Sequence, residues 1–282
     1  MIELYNEDCF ETMENLPDSS IDIILTSPFY NTNTKAGENR TIENTKIKSG
    51  QYQYVRYDKH VDNMTNDEYG EFTIKLFNEF DRILTENSCV LYNISYSSTN
   101  TECLFKTIYS IIENTNFKVA DVITWKKSNA LPNNCSSNKL TRIVEFIFVF
   151  CRKNEFNTFF MNKKVVSQRS NGQKMYENIY NFVEAKNNDG TCPYNKATYS
   201  TELCEKLLNL YAPAECYVYD PFIGSGTTAV ACERLGLHCV GSEISDNQVK
   251  FAVERLQNEF DYMIDNEECL YYEILSSEGV TP

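Results

Sequence analysis

The chain has 282 residues, 42% hydrophobic and 13% aromatic, enough for one large domain with an insertion or two small ones. No run of eighteen apolar residues occurs, which excludes a membrane-spanning helix, and the eleven cysteines, without a C-x-x-C pair and with only two histidines, argue against a disulfide framework or a metal site. A net charge of −14 speaks against nucleic acid as a sum, yet residues 31–60 hold six Lys/Arg against three Asp/Glu and residues 125–175 hold ten against two, so two basic segments sit on an acidic body.

In chain order, the opening "MIELYNEDCFETM" carries acids and no basic residue, unlike a signal peptide, and an intracellular protein of the cytoplasm or of the nucleoid or nucleus is expected. The apolar run 21–25 (IDIIL) predicts a strand. Residues 31–60 are polar and aperiodic, a loop. Thr65-Asn66-Asp67-Glu68 is a capping-box pattern, and Tyr69, Phe72, Leu76, Phe77, Phe80 and Leu84 follow at helical spacing, predicting a helix over 65–84. Strands are predicted at 88–94, 117–124, 143–150, 216–219 and 238–241, and helices at 100–114, 200–211, 226–236 and 245–260. Strands alternating with helices, apolar enough to be covered on both faces, predict an α/β doubly wound, mostly parallel sheet. The layout is one domain over 1–260 with an inserted loop at 31–62, a lobe at about 126–198 and an acidic tail over 261–282.

"VYDPFIGSGTTAV" at 218–230 follows a strand and opens a helix. Gly224, Gly226 and Ala229 satisfy G-x-G-x-x-A, letting the backbone approach a ligand at a helix N-terminus. Glu243, seventeen residues past Gly226 at the next strand end, is positioned to accept from two ribose hydroxyls. No Gly-Lys-Ser/Thr follows, which disfavours a P-loop. A nicotinamide dinucleotide and S-adenosylmethionine both remain.

"TSPFY" at 26–30 suggests a chemistry. The amino group of adenine or cytosine is a poor nucleophile because its lone pair is delocalised into the ring. Two acceptors on its hydrogens, the Ser27 hydroxyl oxygen and the Pro28 carbonyl, would free that lone pair for attack on a methyl sulfonium. Proline fixes the turn, and Phe29 or Tyr30 is placed to stack on a base swung out of its duplex.

TSPFY resembles the (Asp/Asn/Ser)-Pro-Pro-Tyr motif of DNA amino-methyltransferases, and DPFIGSGTT resembles their cofactor motif. Catalytic motif first and cofactor motif last is the circularly permuted order of the beta class, common in restriction–modification systems. The resemblance runs from about residue 2 to 257. It implies a Rossmann-like methyltransferase fold in which Ser27, Pro28, Phe29 and Tyr30 are catalytic. It also implies that S-adenosylmethionine is held by Asp8, Cys9, Thr26, Lys196, Thr198, Asp220, Pro221, Phe222, Gly224, Ser225, Gly226, Thr227, Glu243 and Ile244. "WKKSNALPNNCSSNKLTRIVEFIFVF" is similar to the family segment bearing Trp, Lys and Pro, then Arg and Glu; here Trp125, Lys127, Pro132, Arg142 and Glu145. The partner implied is double-stranded DNA, with 126–198 as target-recognition lobe and Arg40, Arg56, Lys126, Lys127, Arg142, Arg152 and Arg169 as contacts. A homodimer and a companion restriction endonuclease are further partners that the family suggests.

Two positions depart from the family pattern: Phe29 replaces the second proline, and Cys192 stands where a histidine is expected. Phe29 still leaves the Pro28 carbonyl available. A leading serine leans towards N4 of cytosine over N6 of adenine. Ring-carbon methylation would need a cysteine nucleophile, and no Pro-Cys pair occurs. The competing readings are an RNA or protein-amide methyltransferase, an NAD-dependent oxidoreductase, which leaves TSPFY without a role, and a non-catalytic DNA-binding relative.

Overall fold

The computed structural model describes residues 1–31, 64–97, 100–130, 137–190, 192–193, 195, 197–264 and 272–275. The inserted loop at 31–62, with Arg40 and Arg56, falls almost wholly outside them, as do Pro132 and Lys196.

The elements run β1 (Ile2–Tyr5), α1 (Cys9–Asn15), β2 (Ile21–Thr26), α2 (Asn66–Ile83), β3 (Leu84–Ile94), α3 (Glu102–Asn114), β4 (Phe117–Lys127), β5 (Val144–Arg152), β6 (Val165–Gln168), β7 (Lys174–Tyr176), β8 (Phe182–Ala185), α4 (Thr201–Tyr211), β9 (Tyr217–Asp220), α5 (Thr227–Arg234), β10 (His238–Ser242), α6 (Asp246–Ile264) and β11 (Tyr272–Leu275). Nine strands form one sheet in the order β11-β1-β10-β9-β2-β3-β5-β4-β8. Within it β5 alone runs against its neighbours; the other pairings are parallel. This is the expected doubly wound, mostly parallel Rossmann-like sheet.

Side chains alternate between two cores, as strands covered on both faces must. On one face Ile23, Leu25, Leu91, Ile147, Val149 and Val218 pack with Leu203 and Leu207 of α4, Ala229 and Val230 of α5, and Ala252 and Leu256 of α6. On the other, Ile24, Val90, Tyr92, Phe150 and Tyr219 pack with Met13 of α1, Phe77 and Phe80 of α2, and Leu104 and Ile111 of α3. The α2 start is the predicted capping box: Glu68 N donates to Thr65 Oγ1 at 3.2 Å and Thr65 N to Glu68 Oε2 at 2.8 Å.

Three features differ from the sequence expectation. The short elements β1 and α1 precede the first predicted strand. Among the described residues of 126–198, the β6–β7 hairpin stands as a separate small sheet, while β8 returns to the central sheet beside β4. The segment expected as a tail from 261 holds the last turn of α6 and the edge strand β11, paired with β1.

Candidate active site

The winding reverses between β9 and β2. From β9 the chain passes through α5 to β10 on one side; from β2 it passes through α2 to β3 on the other. Ligands of open α/β sheets bind outside the carboxyl ends of strands at such a switch point. A solvent-open pocket lies there, lined by Glu7, Asp8, Cys9, Ser27, Phe29, Phe72, Asn195, Ala197, Pro221, Phe222, Ser242, Glu243, Ile244 and Gln248.

Each wall has a local cause. Asp8 caps α1 by accepting from Phe10 N at 2.9 Å, which brings its carboxylate to the rim. Glu243, directly after β10, is fixed by its own amide donating to Tyr5 O at 3.0 Å and by Ser245 N donating to its Oε1 at 2.9 Å. Gly224 adopts φ +52°, a conformation L side chains rarely take. A Cβ there would stand 3.4 Å from Gln248 Oε1 and 3.6 Å from Asn195 Nδ2, groups already bonded to each other at 2.9 Å. Gly226 serves packing: at φ +75°, an added Cβ would lie 2.8 Å from Ala252 Cβ of α6.

Several residues expected to hold a cofactor are engaged elsewhere. Asp220 is 1% exposed and accepts four bonds within the fold. Thr26 Oγ1 (2.7 Å) and Phe222 N (3.1 Å) donate to Oδ1; Tyr199 OH (2.9 Å) and Thr228 Oγ1 (2.6 Å) donate to Oδ2. Burial pushes its carboxyl above the usual carboxylate range, against the pull of those donors. Asp220 with Thr26 is therefore a strut joining β9 to β2 behind the pocket. Thr227 Oγ1 accepts from Arg255 of α6 at 3.1 Å, and the Ser225 hydroxyl faces Thr227 at 3.4 Å. Thr198 is not among the lining residues; Asn195 and Ala197 occupy that stretch of wall.

Phe29 does not offer a free ring to a base. It is 7% exposed and packs on Tyr69 (5.3 Å), Phe72 (5.3 Å) and Phe222 (6.2 Å), while Tyr69 OH donates to its carbonyl at 2.5 Å. It forms pocket wall. The Phe29 carbonyl being occupied, Pro28 carries the carbonyl next to the Ser27 hydroxyl that could face a substrate.

Beyond Ser27 a polar cluster gathers from four elements. Asn93 Nδ2, near the end of β3, donates to Ser27 Oγ at 3.2 Å and to Tyr30 OH at 2.9 Å. Tyr30 OH donates to Glu145 Oε2 of β5 at 3.0 Å and lies 3.2 Å from Ser27 Oγ. Lys127 Nζ, at the end of β4, donates to Glu145 Oε1 at 2.5 Å and sits 5.0 Å from the Trp125 ring centroid. Trp125 Nε1 is tied to Ala185 O of β8 at 3.2 Å. Sequence reasoning named Tyr30, Lys127 and Glu145 separately and missed Asn93, whose only signal is an amide inside the apolar run "CVLYNI". It also missed Asn195 and Gln248.

The basic candidates separate. Arg142 Nη1 donates to Tyr96 O at 2.5 Å, with its guanidinium 5.3 Å from the Tyr96 ring centroid, two residues past the β3 end. Lys126 is 40% exposed and pairs with Glu184 at 3.0 Å. Arg169 lies in the exposed β6–β7 hairpin, bonded to Gln173 at 3.1 Å. Arg152 is misassigned as a DNA contact. It lies seven residues along β5 from Glu145, roughly 23 Å away at the opposite end of the sheet. There it is 12% exposed and bonds Asp81 Oδ1 (2.5 Å), Asp81 O (2.7 Å), Leu84 O (2.8 Å), Thr85 O (2.8 Å) and Glu155 (3.3 Å). Arg152→Ala is expected to lower stability by about 2–3 kcal/mol, less than a fully buried pair because Asp81 is one-third exposed. Urea unfolding checks this; an unchanged midpoint with weakened DNA binding would return Arg152 to the DNA contacts.

A family model described as DNA methylase (N6/N4 methyltransferases) matches residues 21–254. The chain is 28% identical over 264 residues to the type II methyltransferase M2.DpnII of Streptococcus pneumoniae, spanning 91% of this chain and 90% of that one. It is 25% identical over 259 residues to M2.LlaDCHI of Lactococcus lactis subsp. cremoris, spanning 90% and 88%. In fold it is similar to PvuII DNA methyltransferase (cytosine-N4-specific), with TM-score 0.66 at 15% identity over 98% of this chain and 95% of that one. It is also similar to M1.HpyAVI in its SAM complex, with TM-score 0.59 at 21% identity over 91% and 99%.

Proposed function

The chain belongs to the DNA methylase family, and on that premise we propose that it transfers the methyl group of S-adenosylmethionine to N4 of cytosine in double-stranded DNA. One observation carries the reading: the Ser27 hydroxyl stands at the β2 end on the wall of the switch-point pocket, beside the carbonyl-bearing Pro28. An exocyclic amino group presented to the pocket side of Ser27 would meet these two acceptors. The leading serine of the motif supports cytosine over adenine.

The pocket suits the methyl donor by its donor set. The Glu243 carboxylate offers acceptors to the ribose hydroxyls, Ile244 and Phe222 flank an apolar slot for adenine, and Asn195 with Gln248 offers polar groups to the methionine end. When bound, S-adenosylmethionine supplies a methyl group activated on a sulfonium. The chain's own part is to orient the amino group, to accept its hydrogens and to give the pocket an apolar wall with Phe29, Phe72 and Phe222. A dinucleotide oxidoreductase would share Glu243 but gives no work to the Ser27–Tyr30–Glu145 cluster.

The test is to incubate the protein with methyl-labelled S-adenosylmethionine and mixed-sequence duplex DNA, then digest and separate the nucleosides. Label in N4-methylcytosine is expected. Label in N6-methyladenine would keep the reaction and change the base, and label only in RNA or protein would overturn the substrate. Glu243→Ala is expected to weaken S-adenosylmethionine binding about ten- to a hundredfold by calorimetry, the worth of hydrogen bonds to a charged group. Unchanged affinity would remove it from the ribose role.

A further inference from the structure

Resting on that methyl-transfer reading, we propose that Glu145 is the terminal base of a proton path that runs from the substrate amino group through Ser27 and Tyr30. The hydrogen-bond directions carry the argument. Tyr30 has one hydroxyl proton, and it is given to Glu145 Oε2 at 3.0 Å. In the 3.2 Å contact between Ser27 Oγ and Tyr30 OH, Ser27 must then be the donor. Asn93 Nδ2 donates to both oxygens, at 3.2 and 2.9 Å, which reinforces that order. The serine proton points towards Tyr30 and Asn93 occupies one lone pair, so Ser27 presents its remaining lone pair to an incoming amino group.

The reaction requires such an exit. As the nitrogen–carbon bond forms and the carbon–sulfur bond breaks with its electron pair left on sulfur, the amino nitrogen gains a positive charge and must shed one proton. A serine hydroxyl is too weak a base to keep it. Ser27 Oγ takes that proton while its own passes to the Tyr30 oxygen, and the Tyr30 proton passes to Glu145 Oε2. The balance is one methyl gained by the base and one proton gained by a carboxylate. Glu145 is 18% exposed, so it can return the proton to solvent, and Lys127 at 2.5 Å supplies a positive charge that holds the carboxylate in place before transfer.

Glu145 does not line the cofactor pocket, which separates its role from binding. The test compares wild type, Glu145→Gln, Glu145→Asp, Tyr30→Phe and the Ser27→Ala/Glu145→Gln double variant. The readouts are single-turnover methylation of duplex DNA across pH, calorimetric S-adenosylmethionine affinity, and melting temperature. Expected are an about 10²-fold slower single turnover in Glu145→Gln, cofactor affinity unchanged within twofold, loss of the wild-type rise of rate with pH, partial rescue by Glu145→Asp, and a double variant no slower than Ser27→Ala alone. Tyr30→Phe should lose the same pH limb. Wild-type transfer to DNA with an unaltered pH profile in Glu145→Gln would overturn the path alone. A wild type that binds the cofactor yet labels no DNA would overturn the methyl-transfer reading and the path together.

Discussion

Ser27→Ala is expected to slow methyl transfer by about 10²–10³-fold while leaving S-adenosylmethionine affinity within twofold of wild type. The magnitude is that of deleting one pre-set hydrogen-bonding group aimed at a developing transition state. The group does two things in the geometry described. Its oxygen accepts an amino hydrogen, drawing the nitrogen out of conjugation, and its hydroxyl links the pocket wall to Tyr30 at 3.2 Å. Alanine removes one partly buried oxygen and creates little cavity, so melting temperature should move by a degree or so. Cofactor affinity should hold because Glu243 follows β10 while Phe222 and Gly224 lie in the turn between β9 and α5, away from the Ser27 segment. The measurement is single-turnover labelling beside calorimetry. Collapse of cofactor affinity would place Ser27 in the cofactor pocket, and an unchanged rate would remove it from the chemistry.

The long elements were legible because burial on both faces forces continuous apolar runs: Ile21–Leu25 and Cys89–Ile94 can only be interior strands, and Tyr69, Phe77 and Phe80 show the buried stripe of α2. Four-residue strands are another matter. Ile2–Tyr5 and Phe182–Ala185 are too short to show a period, and β8 is held by its partner β4 some sixty residues away. Motif residues were legible as a set but not in direction. Asp220 stands next to the glycine turn in sequence, yet the strand's twofold alternation and the hydroxyls of Thr26, Tyr199 and Thr228 turn its carboxylate inward. Arg152 shows the same limit for charge, since a basic stretch in sequence says nothing about which end of a nine-residue strand each cation occupies. The Ser27–Asn93–Glu145 cluster was beyond local reading because it is assembled by neighbouring β2, β3 and β5, whose members lie 66 and 52 positions apart.

Asp220→Ala should be the most destabilising single change at the site, by about 3–5 kcal/mol, because it removes the acceptor of one part-buried amide and three buried hydroxyls, of which only Tyr199 and Thr228 keep a contact with each other, at 2.6 Å. For a chain of this length that is a fall of roughly 5–8 °C in melting temperature. Asp220→Asn keeps the volume and one carbonyl, and the hydroxyls can turn to accept from the new amide, so about 1–2 kcal/mol is expected. The pH dependence distinguishes the causes. Burial raises the folded carboxyl above its unfolded value near 4, so the wild type gains stability from this group below that unfolded value and loses it as pH rises through the folded one. The cost of Asp220→Asn, measured by urea unfolding, should therefore be larger near pH 4 than at pH 7. A cost that grows with pH would mean the four donors outweigh burial and lower the carboxyl instead. If Asp220 touched the cofactor directly, Asp220→Asn would lose S-adenosylmethionine affinity with little change in stability. The strut predicts the reverse, reduced stability with affinity retained well below the melting temperature.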